Sequence, residues 1–247
     1  MRGFAALALV AFSLPALAEE TPPLPKQHWS FAGPFGTFDR GSAQRGYQIY
    51  KEVCSSCHSL KHAFYRDLRG LGLSEEQVAA TAGSVQVPTT GDDGQPGERP
   101  AIASDHFRSP FANEKAARAA NNGALPPDLS LIEKARDGGA DYIYALMTGY
   151  SDPPAAMKMG AGMYYNKYFP GNQIAMPQPL HDGQVTFGDG TPASLAQMSQ
   201  DVASFLTYIS EPETETRKRM GVKIVIFLAL MVGLTYAVKR KVWADVH

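Results

Sequence analysis

Five consecutive residues, Cys54-Ser55-Ser56-Cys57-His58, constrain this chain more than any other feature. A Cys-x-x-Cys-His run is the spacing at which two thiols add to the two vinyl groups of one haem. The adjacent imidazole then turns onto the iron as an axial ligand. A redox dithiol or half of a zinc site would use the same thiols. A structural zinc site, however, needs four Cys or His ligands at paired spacings, and the chain holds no third Cys. Attachment consumes both thiols, which leaves none for a disulfide.

The two ends of the chain point to export and a membrane. Met1-Arg2 is a short basic start, an apolar run comes next, and Ala16-Leu17-Ala18 has the form of a cleavage site, so residues 1–18 read as a secretory signal peptide. Export suits covalent haem, which is attached on the far side of the bacterial inner membrane. Near the other end, residues 220–239 are long and apolar enough to span hydrocarbon, and Lys223 sits close enough to one end to reach the interface. Arg217-Lys218-Arg219 precede this segment, Lys239-Arg240-Lys241 come after it, and Trp243 can sit at the far interface. The basic clusters nearly tie, and the leader decides the orientation. The division is then leader 1–18, periplasmic domain 19–210, juxtamembrane linker 211–219, transmembrane helix 220–239 and cytoplasmic tail 240–247.

The domain between the ends reads as mainly α-helical with long loops. Residues 20–41, rich in Pro, Gly and aromatics, read as an extended wrap. Residues 42–53 read as a helix capped by Ser42, delivering the chain into Cys54, with Gly46 placed for close approach by another helix. Residues 84–110 read as a long surface loop, residues 111–120 as a helix stopped by Asn121-Asn122-Gly123, and residues 129–137 as a short helix. Asp141 reads as the cap of a further helix ended by Gly149. Residues 184–187 are the best strand signal. In residues 198–209, Val202, Phe205, Leu206 and Ile209 recur at helical spacing, so this helix is expected to cross the first one near Gly46. The domain carries 20 acidic and 15 basic side chains, a net −5, which favours a basic protein partner. No basic patch with interleaved aromatics is present, which argues against nucleic acid.

A c-type haem used for electron transfer needs a sixth ligand, and a Met/His pair raises the potential. Met176 lies in Ile174-Ala175-Met176-Pro177-Gln178-Pro179, where Pro177 keeps it out of helical geometry and Pro179 stiffens the next few residues. A stiff extended strap suits a thioether held at fixed distance from a metal. Met157, Met159 and Met163 stay open beside it, as do His28, His62, His106, His181 and His247. Pro126-Pro127 can form a rigid apolar wall against the ring. Arg136 is a candidate propionate partner, since guanidinium–carboxylate pairing is strong and directional, and Tyr142 can flank the same side.

Beyond CSSCH, the chain carries Trp29-Ser30-Phe31-Ala32-Gly33-Pro34-Phe35-Gly36 and Arg45-Gly46 with Tyr47, Tyr50 and Val53. It also carries Ala119-Ala120-Asn121-Asn122-Gly123-Ala124-Leu125-Pro126-Pro127-Asp128-Leu129-Ser130, then Tyr164-Tyr165-Asn166 through Phe169-Pro170-Gly171, Asp189-Gly190-Thr191-Pro192-Ala193, and Arg217-Lys218-Arg219-Met220-Gly221. In these motifs, over nearly the whole mature chain, it resembles the bacterial cytochrome c1 family, the haem subunit of the quinol–cytochrome c oxidoreductase. The resemblance implies one covalent haem c on Cys54 and Cys57, iron ligated by His58 and Met176, haem packing by Asn121, Pro126 and Pro127, and propionate contacts from Arg136 and Tyr142. It implies a c-type cytochrome fold with long loop insertions, a cytochrome b subunit around the single membrane helix, and a dimeric complex. Electrons would pass from the iron–sulfur (Rieske) subunit to a soluble cytochrome c, with no catalysis by the chain on its own. Glu75, Glu76, Asp92, Asp93 and Glu98 are candidate docking acids. Some bacterial members carry an extra Cys pair before the axial Met. Its absence here leaves the shielding of Met176 to Tyr164, Tyr165 and Phe169. A free-standing membrane-anchored cytochrome and a haem enzyme or gas sensor with an open sixth position are the competing readings.

Overall fold

At one point two helix backbones come close enough that only a glycine fits between them. Helix α1 (Arg40–Glu52) crosses helix α5 (Leu195–Ser210) at Gly46. A Cβ added there would stand 2.0 Å from the Asp201 carbonyl oxygen, so this crossing cannot form with a larger residue, as the sequence led us to expect. The computed structural model describes residues 22–91 and 93–245. The leader expected over residues 1–18 lies outside the described residues.

Around this crossing the elements run α2 (Glu75–Gly83), a β1–β2 hairpin (Gln86–Thr90 with Pro96–Pro100, antiparallel), α3 (Glu114–Ala120), α4 (Ala140–Thr148), a small antiparallel pair β3–β4 (Tyr164–Tyr165 with Gln173–Ile174), α5 and α6 (Thr214–Val242). The chain is mainly helical. Helix α5 is buried on nearly every face because α1 and α4 both pack on it. Ile49, Tyr50, Met198, Val202, Phe205 and Leu206 form the centre of the core. Ser194 caps α5, its hydroxyl accepting from Gln197 N–H.

The cap of α1 is Asp39, whose carboxylate accepts from Ser42 N–H, and the helix starts two residues before the expected Ser42. Ser42 instead donates its hydroxyl to Asp201 on α5, at 2.7 Å. A long-range buried acceptor has claimed the side chain that a local cap would have used. Asp141 is likewise no cap. It lies in the first turn of α4, and its Oδ1 accepts from Gln27 N–H and Trp29 Nε1–H, which pins the N-terminal wrap onto the domain. Residues 129–137 form a series of turns rather than a helix. Asp128 draws Ser130 N–H to its own side chain at 2.9 Å, and Gly138 and Gly139 both take positive φ. The stretch read as one loop, 84–110, contains the β1–β2 hairpin, closed by a Gly91–Gly94 turn. Residues 184–187 form no strand. Val185 and Phe187 are buried singly against the core, and an alternating pattern serves that purpose as well as it serves a sheet.

Helix α6 is 29 residues long, and its apolar stretch is not buried in the protein at all. At 1.5 Å per residue it is about 44 Å long, against a hydrocarbon core of about 30 Å, so it is able to cross a bilayer with a polar turn or two at each end.

Candidate functional site

Helix α1 runs directly into the cysteine motif. Its last turn closes with Val53 N–H on Ile49 O, and one 3₁₀ turn (Cys54–Ser56) comes next. Cys54 O accepts from both Cys57 N–H (3.1 Å) and His58 N–H (2.8 Å), which gathers the two thiols and the imidazole around one backbone oxygen. The two intervening serines fold back onto the helix: Ser55 donates to Lys51 O and Ser56 to Val53 O, both at 2.8 Å. They satisfy carbonyls that a helix C-terminus leaves open. Tyr50 OH donates to His58 O at 3.1 Å and closes the turn from the core side. Burial pushes the Cys54 thiol up to about 12.

The His58 ring is oriented by the proline segment. Nδ1 lies 2.8 Å from Pro127 O. A carbonyl can only accept, so Nδ1 carries the proton and Nε2 keeps its lone pair free for a metal. Burial lowers the His58 pKa, against the opposing pull of Pro127 O and Asp128, which favours the neutral, ligating form.

Asp128 holds this arrangement together. Its Oδ2 accepts from Ser59 OH (2.7 Å) and Lys61 N–H (2.8 Å), and its Oδ1 accepts from Ser130 N–H (2.9 Å). Leu129 N–H donates to Ser59 O and His62 N–H to Ser130 OH, so residues 58–62 and 127–130 are laced side by side. Burial works against the Asp128 charge, but these hydrogen bonds outweigh it and hold the carboxyl below its ordinary value. In the sequence, Asp128 is only one residue of the Ala119–Ser130 motif. The Asp-x-Ser spacing after Pro-Pro was the local signal, since Asp bonds the backbone two residues on, but its partners at Ser59 and Lys61 are long-range.

Met176 is half-buried on the strap that leaves β4. Tyr150 OH donates to Met176 O at 3.1 Å. The β3–β4 pair is tied to the end of α4 by Asn166, which is fully buried. Its Nδ2 donates to Leu146 O (2.8 Å), its Oδ1 accepts from Tyr168 N–H (3.0 Å), and its N–H donates to Asn172 O (3.1 Å). Gly149 allows this contact, since a Cβ there would lie 2.7 Å from Asn166 Oδ1. Tyr150 and Asn166 therefore position the strap, and neither role was readable from local sequence. Of the three aromatics expected to shield Met176, Tyr165 and Phe169 are half-buried, whereas Tyr164 is 45% exposed.

The remaining expected residues are distributed around this frame. Asn121 ends α3, its side chain donating to Ala117 O, and is half-buried. Pro126 is half-buried and Pro127 exposed. Arg136 is exposed, and its guanidinium neighbours the buried Tyr142 hydroxyl. Burial raises the Tyr142 pKa, and Arg136 partly offsets that rise. Tyr142 in turn neighbours Tyr150, so Arg136, Tyr142, Tyr150 and the Met176 backbone succeed one another across the domain. Cys54, Cys57 and His58 share one turn, His58 contacts Pro127, and Arg136 neighbours Tyr142, which leads through Tyr150 to the Met176 backbone.

The donor set fits an iron porphyrin: two thiols at vinyl spacing, a neutral imidazole with Nε2 unclaimed, and a thioether on a buttressed strap. Among the described residues no cluster of His, Cys, Asp and Glu offers a site for a bare metal ion.

Comparison with known proteins adds an independent finding. Residues 29–246 match the model of the Cytochrome C1 family. Cytochrome c1, heme protein, mitochondrial, of Saccharomyces cerevisiae is 49% identical, the match covering 90% of this chain and 72% of the yeast protein. Cytochrome c1 of Rhodospirillum rubrum is 44% identical over 90% of this chain and 88% of its own length. Cytochrome b/c1 of Bradyrhizobium diazoefficiens is 48% identical over 90% of this chain, which spans only 36% of that longer protein.

Proposed function

The chain belongs to the cytochrome c1 family of haem-bearing electron-transfer subunits, and from that premise we propose that it relays single electrons from a Rieske iron–sulfur subunit to a soluble cytochrome c. The observation that carries this reading is the His58 Nδ1–H donated to Pro127 O beside the Cys54–Cys57 turn. Once bound, haem c supplies a one-electron couple, and no substrate bond is made or broken.

The residues of this chain then have distinct tasks. Cys54 and Cys57 would hold the macrocycle through thioethers. His58 would offer Nε2 to the iron, fixed in that tautomer by Pro127 O. Met176 would supply a thioether ligand, its strap held by Tyr150 and the Asn166 knot. Pro126, Pro127 and Asn121 would pack the ring, and Arg136 with Tyr142 would serve the propionates. A Met/His pair would raise the potential.

Helix α6 anchors the domain in the bacterial inner membrane, with the haem side periplasmic after removal of residues 1–18. The cytochrome b subunit packs against it, in a dimeric complex. The name of the Bradyrhizobium relative joins cytochrome b to c1, which supports a cytochrome b partner. The domain's net −5 supports a basic cytochrome c as acceptor.

The decisive test is acid-acetone extraction and then a pyridine haemochrome spectrum. Pigment that stays with the protein and shows a c-type spectrum supports the reading. Pigment released into the acetone, or no pigment at all, refutes it. Co-purification with cytochrome b and the iron–sulfur protein separates the subunit from a free-standing cytochrome, and a reduced form that binds no carbon monoxide separates it from a gas sensor.

A further inference from the structure

The N-terminal wrap ends in a closed loop seated on the start of α6. The neck of the loop is shut by Thr37 N–H on Ser30 O (3.1 Å) and Ala32 N–H on Trp29 O (3.0 Å). Its base is stacked into the domain through Trp29, Phe31, Phe38 and Tyr208, with successive ring centroids 5.4, 4.9 and 5.4 Å apart. Lys218 of α6 reaches across and donates its ammonium to Phe31 O and to Gly36 O. Three residues earlier, Glu215 accepts from Phe38 N–H and from the Arg40 guanidinium, both at 2.9 Å.

The tip of this clamped loop faces outward. Residues 32–35 read Ala-Gly-Pro-Phe, all exposed, with no charge and no polar side chain, and Phe35 is 79% exposed. Lys218 sits two residues before Met220, after which α6 turns to lipid-type residues. The loop is therefore fixed to the helix at the level where the span begins.

We propose that residues 32–35 form an interfacial foot, which inserts Phe35 into the headgroup–acyl boundary of the bilayer that α6 crosses. This rests on the reading of α6 as a membrane span. Continuity with that span is the first argument for lipid. The second is size: a stable protein interface buries about 1,000 Å² or more, whereas this tip offers one large side chain and no polar side chain. Aromatic side chains are at home at the membrane interface. One helix alone leaves a domain free to swing about its hinge. A second, rigid point of contact fixes the tilt of the domain, and with it the direction in which the haem edge faces.

The test uses nitroxide labels on the full haem-loaded chain in vesicles of phosphatidylcholine and phosphatidylglycerol, at Phe35→Cys, at Leu228→Cys in mid-helix, and at Asp93→Cys on the exposed hairpin. The ratio of oxygen to nickel-chelate accessibility reports lipid against water. The expected result is a ratio several-fold higher at Phe35→Cys than at Asp93→Cys, and higher again at Leu228→Cys. A lipid-like signal at Leu228→Cys with a water-like signal at Phe35→Cys overturns the foot and leaves the span intact. Protection of Phe35→Cys from both reagents overturns it in favour of a protein contact. A water-like signal at Leu228→Cys overturns the span itself.

Discussion

Replacing Met176 by Leu keeps bulk and removes the sulfur, so it isolates ligation from packing. If Met176 is the sixth ligand, redox titration of the variant gives a midpoint potential lower by on the order of 0.1 V or more, with an altered reduced haem spectrum. An unchanged potential would assign the ligand elsewhere, to another of the Met or His residues left open by the sequence. Asp128 acts one step further out. Asp128→Asn leaves an acceptor but removes the charge on which three donors converge. Loss of a charge-assisted bond costs about 2 kcal/mol, read as a lower thermal midpoint at neutral pH. The pH dependence comes from the direction of the shift. The folded carboxyl titrates below its unfolded value of about 3.9, so the unfolded chain binds more protons in the acid range. Its contribution is whole above that value and disappears as pH falls through the folded pKa. The stability gap between wild type and Asp128→Asn should therefore close on acidification below about pH 4. A gap that stayed constant would remove the charge from the account.

Between elements, the α1–α5 crossing is the most demanding contact. Gly46→Ala would place a methyl 2.0 Å from the Asp201 carbonyl oxygen, and forcing the helices apart costs about 1–3 kcal/mol. A thermal midpoint equal to wild type would show that the crossing is looser than this. Beside that glycine, Asp201 is fully buried and takes both Arg45 Nε (2.8 Å) and Nη2 (3.0 Å), with Ser42 OH at 2.7 Å. Asp201→Ala removes two of the three carboxylate bonds of the largely buried guanidinium and leaves it only Asp189, at 2.7 Å, which costs about 2–3 kcal/mol, measurable by denaturant unfolding. That two helices meet at Gly46 was legible beforehand, because small residues and helical periodicity are local marks. The Asp201–Arg45 pair was not, because a buried ion pair between residues 156 apart leaves no periodic trace. The misplaced caps have the same origin. Ser42 and Asp141 look like caps by local chemistry, and each is claimed by a long-range partner that only the folded chain supplies.

For the whole molecule, the proposed docking of a basic acceptor puts the surface acids to the test. Glu75 and Glu98 are already paired, with Arg69 at 2.6 Å and Arg108 at 2.9 Å. Glu76 and Asp93 have no ion pair among the described residues, and Asp92 lies outside them. Glu76→Gln with Asp93→Asn should flatten the ionic-strength dependence of electron transfer to a basic cytochrome c more than Glu75→Gln with Glu98→Gln. Equal slopes would remove this face from the docking surface.

The cofactor chemistry, the helical class and the apolar span are all written in neighbouring residues: a five-residue attachment motif, a repeat at helical spacing, an unbroken apolar run. They could be read before any fold was known. The supports that hold the candidate ligands in place could not. Pro127 O orients His58, Asp128 laces two segments together, and Tyr150 with Asn166 grips the strap of Met176. Those contacts join residues far apart in the chain through single directional hydrogen bonds, whose partners are chosen by the packing of α1, α4 and α5.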